Sequence, residues 1–288
     1  MHVPVMLGEC LDYLRVQPAG VYLDATAGLG GHTGAIAQRL SESGLVIACD
    51  RDAESLELAR ANTAEHASRI RFHQILFSQL GEALAAEGIT QLDGLLADLG
   101  VSRYQLTAGE RGFSLMADGP LDMRMSRSQG VHSAADLVNF ESEQELARLI
   151  FTLGEERRSR KIARAIVRGR PIHTTGQLAK LIEGAVPRTG KLHPATQTFM
   201  ALRIAVNNEL EELDALLASI PRLVGAGGRA VIVTFMSLED RKVKQSFQGM
   251  AKAGRATLLT RHVVRPSREE VLSNPPSRSA KLRAIELL

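Results

Sequence analysis

Over the first hundred residues, short apolar runs alternate with amphipathic stretches. Val21–Ala25 (VYLDA), Leu45–Asp50 (LVIACD), Ile70–His73 and Leu92–Asp98 (LDGLLAD) each have the length and apolar character of a buried strand. Between them, Thr33–Leu40, about Asp52–Glu65 and Ser78–Glu87 have helical periodicity, and a glycine cluster precedes the first of these helices. Strands that alternate with helices predict a parallel sheet covered by helices on both faces, with right-handed crossovers.

After Asp98 the rhythm changes. Residues 107–198 read as loops and helices, with no strand as clear as the first four. Thr198–Leu217 then carries Phe199, Leu202, Val206, Leu210, Leu213 and Leu217 at steps of three and four, the spacing of one continuous helix. Pro221 and glycines 225, 227 and 228 are expected to end it. Arg229–Phe235 predicts a fifth strand, and Thr257–Val264 and Ala280–Leu287 two more. The expected fold class is therefore α/β. Residues 1–106 and 199–288 form one open sheet, and a helical domain of residues 107–198 is inserted between its fourth and fifth strands.

Composition narrows the class. The chain has 288 residues, 44% hydrophobic and 23% charged, which suits a folded globular protein with a substantial core. Its two cysteines, Cys10 and Cys49, make neither a disulfide framework nor a thiolate zinc site, and its eight histidines show no metal-ligand spacing. No apolar run approaches the roughly 18 residues of a membrane span, and the first residues carry no basic leader pattern, so a cytoplasmic protein is expected.

Charge changes the picture further. The formal net charge of +3 argues at first against a polyanionic partner. Its distribution reverses that reading. Residues 1–154 hold 11 basic and 20 acidic side chains, residues 155–170 hold 7 and 2, and residues 241–283 hold 11 and 2. Two basic tracts on an otherwise acidic chain are the footprint expected of phosphate contacts, with a solvated helix face as the bland alternative.

Candidate chemistry gathers at the strand ends. Asp24–His32 (DATAGLGGH) places glycines between a strand and a helix, where backbone can approach a ligand closely. Asp50, at the end of the second strand, is in position to reach a ribose diol. Gly28 and Gly30 fit a dinucleotide fingerprint, but Thr33 stands at its third glycine. Asp24 offers an acid for the ammonium group of a methionine moiety, so S-adenosylmethionine is favoured over a nicotinamide dinucleotide. Asp98, in DLGVS, lies on the same sheet edge and could orient an amine and accept its proton during methyl transfer. The aromatic usual after such an Asp is missing, so a base-stacking ring would come from Tyr104, Phe113 or Phe235, with Phe113 favoured as core.

Several uncommon strings run in one order through the chain: HVPVML, DATAGLGGH, DLGVS with Gln105, RGFSL…GPLDMRM, GEERRSRKIARAI, HPATQTF…ALRIAVNNEL, SLEDRKVK and NPPSRSAKLR. Together they resemble the RsmH (MraW) family of small-subunit ribosomal RNA methyltransferases. The resemblance implies a class I (Rossmann-like) methyltransferase sheet with a helical insertion that helps hold RNA. It implies transfer of a methyl group from S-adenosylmethionine, which becomes S-adenosylhomocysteine, to N4 of a decoding-centre cytidine beside the P-site. The implied partner is 16S ribosomal RNA within the small ribosomal subunit; a homodimer is left open. Its cofactor contacts map onto Gly30, Gly31, His32, Asp50, Phe77, Asp98 and Gln105.

The chain departs from the family pattern at Arg103, Thr107, Ser126, Gln197, Met200, Thr234 and Met236, on the expected substrate side. A methyltransferase with a different RNA, DNA or protein target is therefore an alternative, and a non-catalytic ribosome assembly factor is another. For RNA, the expected contacts are Arg157, Lys161, Arg164 and Arg168 on one helical face, with Ile162 and Ile166 turned away. His193 is a substrate or hinge residue, and Arg241 and Lys242 are phosphate contacts or partners of Glu239 and Asp240.

Overall fold

The computed structural model describes residues 4–127, 131–188, 190 and 192–288. His2 and Val3 of the HVPVML string lie outside the described residues. Seven strands form one sheet: β1 (Val21–Asp24), β2 (Leu45–Asp50), β3 (Ile70–Gln74), β4 (Leu92–Asp98), β5 (Val224–Thr234), β6 (Ala256–Leu258) and β7 (Lys281–Leu287). In chain order the helices are α1 (Leu7–Leu14), α2 (Gly31–Arg39), α3 (Ala53–Asn62), α4 (Leu80–Ala86), α5 (Arg103–Thr107), α6 (Ala134–Phe140) and α7 (Glu143–Gly154), then α8 (Ser159–Arg168), α9 (Thr175–Ala185), α10 (Thr196–Asn207), α11 (Glu209–Leu223), α12 (Ser237–Lys252) and α13 (Arg268–Ser273).

The chain divides into two compact units, Met1–Gly100 with Glu211–Leu288, and Val101–Leu210. The first holds the whole sheet, in the order β3-β2-β1-β4-β5-β7-β6. Every pairing from β3 to β5 is parallel, and only β7 runs antiparallel to its neighbours. This is a doubly wound, mostly parallel α/β sheet. Leu95, Leu96, Ala97, Val231 and Ile232 are fully buried because helices cover both faces, which is why β4 and β5 read as unbroken apolar runs. Strand order reverses between β1 and β4, so the crevice beyond the carboxyl ends of these two strands is the natural ligand site of such a sheet.

Some elements differ from expectation. The helix expected over Thr198–Leu217 is two helices, α10 and α11, because Asn208 turns left-handed at φ 49° and caps the first. Pro221 sits inside α11, which runs on to Leu223. The glycines after it open β5: the pairing Leu92–Val224 shifts register before Gly94–Arg229, and Gly227 has φ +77°. The strand expected over Thr257–Val264 is only Ala256–Leu258, followed by one isolated bridge from Val264 to Leu282.

In the second unit, Phe199, Leu202 and Val206 of α10 pack into a core with Phe113, Leu146, Ile150, Ile162, Ile166, Leu178 and Ile182. The RGFSL…GPLDMRM strings form its most constrained loop. Arg111, only 1% exposed, donates from Nη2 to the carbonyls of Arg124 (3.1 Å) and Met125 (3.0 Å). Buried Asn207 donates to the Met123 carbonyl (2.7 Å) and accepts from the Met125 N–H (2.8 Å). Between these two side chains Met123 is held at φ 59°, an unfavourable left-handed conformation for a bulky residue. Among the described residues no helix is long and apolar enough to cross a membrane.

Candidate active site at the carboxyl edge of the sheet

The three aspartates expected to carry chemistry end three strands of the first unit: Asp24 ends β1, Asp50 ends β2 and Asp98 ends β4. The sheet register sets them side by side on one edge, but their environments differ.

Asp24 is fully buried and already partnered. Its Oδ2 accepts from the Thr33 hydroxyl (2.6 Å) and its Oδ1 from the Thr26 N–H (3.1 Å). Thr33, which stands where a dinucleotide fingerprint has glycine, is thus the donor that holds Asp24. Burial pushes the Asp24 carboxyl up to about 6 despite these bonds, and the nearby Asp50 adds to the effect. Asp50 accepts from the Gly28 N–H (2.8 Å) and the Asp52 N–H (2.9 Å), so it fixes the glycine turn; burial raises it to about 6 as well.

The glycines of the turn have separate reasons. A Cβ on Gly31 would come within 2.4 Å of Pro4 Cγ, and one on Gly30 within 2.9 Å of Thr63 Cγ2, so both are required by packing. Gly28, at φ +51°, has only the Thr26 carbonyl near it, 3.8 Å from where a Cβ would lie, and opens onto space a ligand could occupy.

Asp98 is tied by its backbone, its N–H donating to the Thr26 hydroxyl (2.7 Å). Thr26 therefore connects Asp24 and Asp98, a link that spacing alone did not reveal. The Asp98 side chain is 21% exposed, but its Oδ1 is buried and has no hydrogen-bond partner among the described residues. Burial, with Asp24, Glu239 and Glu270 nearby, holds this carboxyl well above its ordinary range. His32, buried on α2, directs Nε2 at the Val5 carbonyl (3.1 Å) and holds Nδ1 3.9 Å from Asp98 Oδ2. Phe77 follows β3, half-buried against the core of the same unit. Phe235 borders Gly100, its Cδ2 3.6 Å from where a Cβ there would lie. A buried, unpartnered carboxylate oxygen amid further acids suits a cationic ligand and an amine that gives up a proton.

In the second unit, Gln105 spends its side-chain carbonyl on the Ser102 N–H (2.9 Å) as a capping box that starts α5. Tyr104 of that helix is half-buried, and Phe113 lies in the core.

The basic residues also separate. Helix α8 begins only at Ser159, because Glu155 ends α7 in the left-handed region and buried Glu156 accepts from the Arg158 N–H (2.7 Å). Arg157 therefore precedes the helix rather than sharing its face. Arg164 meets Glu143 of α7 (3.4 Å), a partner outside its own segment. Lys161 and Arg168 are exposed on α8 and make no ion pair among the described residues. His193 accepts the Ala195 N–H at Nδ1 (3.1 Å) and donates to Glu183 (2.8 Å), which fixes the turn into α10. In the first unit, Lys242 is held by Asp214 (2.6 Å) rather than by Glu239 or Asp240. Glu239 caps α12 by accepting from the Phe235 and Met236 N–H groups, and Asp240 receives both arms of Arg283 (2.7 and 3.2 Å). The uncommon strings SLEDR and SAKLR thus meet in one bidentate ion pair.

The sequence profile of the MraW methylase family matches residues 1–288. Over 287 residues the chain is 59% identical to the ribosomal RNA small subunit methyltransferase H of Solibacter usitatus, covering all of both chains. It is 49% identical to the protein of the same name from Acidobacterium capsulatum, over 99% of this chain and 98% of that one. With the one from Koribacter versatilis it shares 48%, over 98% and 93%.

Proposed function

The chain belongs to the MraW methylase family, and from that membership we propose that it is an S-adenosylmethionine-dependent methyltransferase of small-subunit ribosomal RNA, acting on the exocyclic N4 of a decoding-centre cytidine in 16S RNA. The single observation that carries the chemical part of this reading is Asp98: a carboxylate at the strand-order reversal, one oxygen buried without a partner.

The residues present fit the methyl donor. The open space over Gly28, the Asp50 carboxylate, the α2 N-terminus at Gly30–His32 and Phe77 would hold it. When bound, S-adenosylmethionine supplies a cationic, electrophilic methyl group. Asp24, Asp50 and Asp98 form an acidic edge that favours such a cation. Asp98 orients the target amine and accepts the proton the amine releases, so no covalent bond to the base is required. Phe235, beside Gly100, is the ring of the first unit best placed to stack on an extruded base. Lys161 and Arg168 of α8 take RNA phosphates. Transfer of a labelled methyl group to purified small subunits, with DNA and protein as controls, tests the substrate; labelling confined to DNA or protein contradicts it.

Two further outcomes are expected. Asp24 and Asp50 titrate near 6 in the ligand-free protein against an ordinary 3.8. As pH rises from 3.8 to about 6 the unfolded chain releases these protons and the folded chain keeps them, so stability falls across that window and not above it. Binding of a cation runs the other way: affinity for S-adenosylmethionine, measured by calorimetry, weakens as pH drops from 7 to 5, roughly tenfold if one pK unit is involved. For RNA, the double variant Lys161→Ala/Arg168→Ala leaves folding intact. It lowers the slope of log affinity against log salt by roughly 1.5 to 2.

A further inference from the structure

The segment Pro4–Met6 crosses the amino end of α2 and is anchored there at several points. Pro4 seats on Gly31, where a Cβ would clash at 2.4 Å. The Val5 carbonyl receives His32 Nε2 at 3.1 Å and lies 3.9 Å from Cys10 Sγ. Met6, buried and left-handed at φ 52°, donates its N–H to Glu270 Oε1 at 2.7 Å. A carbonyl only accepts, so Nε2 of His32 carries a proton. That bond fixes the ring, and its other nitrogen faces Asp98.

Resting on the assignment of Asp98 as proton acceptor, we propose that His32 is a positioning residue for the methyl-transfer step: its side chain, locked on the Val5 carbonyl, presents Nδ1–H as the cationic partner that keeps Asp98 ionised. The proton balance is simple. The amine N–H bond breaks, its electron pair stays on nitrogen, the proton forms an O–H bond on Asp98, and it then leaves to water. An Asp98 that is already protonated cannot take part.

Among the described residues, the acids placed near Asp98 work against its ionisation. Asp24 from β1, Glu239 from α12 and Glu270 from α13 are all acidic, and the Cys10 thiol from α1 brings no positive charge. Among the described residues near Asp98, the His32 ring is the group that can carry a compensating charge, at 3.9 Å. The Asp98 side chain is thus placed between acids on three elements and one imidazole.

The test uses the full chain with ¹⁵N-labelled histidine, together with pH profiles of methyl transfer. In the unaltered protein His32 shows the Nε2–H form when neutral. Asp98→Asn should lower the His32 pKa by about one unit or more, because the facing negative charge is gone. His32→Gln keeps a donor that can reach the Val5 carbonyl but removes the charge. At saturating S-adenosylmethionine its acid limb of kcat should move up by about one unit or more, whatever the height of the plateau. A solely structural role would lower kcat without moving that limb. Either a His32 titration indifferent to Asp98→Asn or an unmoved limb in His32→Gln overturns the pairing, while loss of turnover in Asp98→Ala leaves the Asp98 assignment standing. Should His32→Gln fail to fold, the titration in the unaltered and Asp98→Asn proteins decides alone. Full turnover by Asp98→Ala overturns both assignments.

Discussion

Asp98→Ala is expected to lose methyl transfer to small subunits by about 10²- to 10⁴-fold, the usual worth of a positioned proton acceptor. The protein should stay folded and retain part of its affinity for the methyl donor, because the Gly28 turn is held by Asp50 and Asp24 is held by Thr26 and Thr33. Asp98→Asn sharpens the expectation. It keeps the shape and the backbone bond from the Asp98 N–H to Thr26, and it removes only the ability to take a proton. Asp98 holds a buried oxygen without a partner among further acids, so neutralising it relieves a desolvation cost. Asp98→Asn should therefore melt at or above the temperature of the parent while losing turnover. Stability set aside for function is the ordinary situation at an active site. Thermal unfolding and a single-turnover methylation assay check both halves.

The second large effect falls on the other unit and on stability. Arg111→Ala strips the buried Met125 carbonyl and the part-buried Arg124 carbonyl of their guanidinium donor and opens space in the second unit's core. At about 1 to 3 kcal/mol for each buried group left unsatisfied, a loss of about 4 kcal/mol is expected. Arg111→Met fills much of the space without the donor and should recover only the packing part. Denaturant unfolding monitored in the second unit measures the difference. The left-handed Met123 makes the loop especially sensitive, because once Arg111 is gone Asn207 is left without the second side chain that helps hold that conformation.

Much of the sheet could be read from the chain because β2 and β4 are short, apolar and fenced by polar turns: Leu45–Asp50 and Leu92–Asp98 have the bounds expected from the sequence. Their ends delivered Asp50 and Asp98, and β1 delivered Asp24, so the acidic edge was visible as soon as the strands were. Elements decided by single residues were not. Asn208 breaks a periodic helix by a backbone turn that leaves the apolar spacing intact, and the paired asparagines of VNNEL were the available signal. Glycines 225, 227 and 228 read as a helix stop, whereas they admit a register shift inside β5. Helix α1 gives little signal although Cys10, Leu11 and Leu14 keep helical spacing, because eight residues make a weak pattern.

The partners of the candidate site were hidden for a different reason. Thr26 and Thr33 lie within the glycine motif, but their roles depend on which carboxylates β1 and β4 bring near. Val5, Glu239 and Glu270 reach Asp98 or His32 from segments far apart in sequence. The uncommon strings are largely structural at their cores: Arg111 with Asn207 around Met123–Met125, Asp240 with Arg283, and Gln105 with Ser102. Rarity of a string therefore marks structural residues such as Arg111 and Asp240 as readily as the aspartates of DATAGLGGH and DLGVS.

The proposed target atom is N4 of a decoding-centre cytidine. Mass spectrometry of 16S ribosomal RNA from cells with and without this protein tests it most directly. One P-site cytidine is expected to carry an N4-methyl group in the first RNA and none in the second. The same methylated cytidine in both, or a modification that disappears from a different RNA, would contradict it.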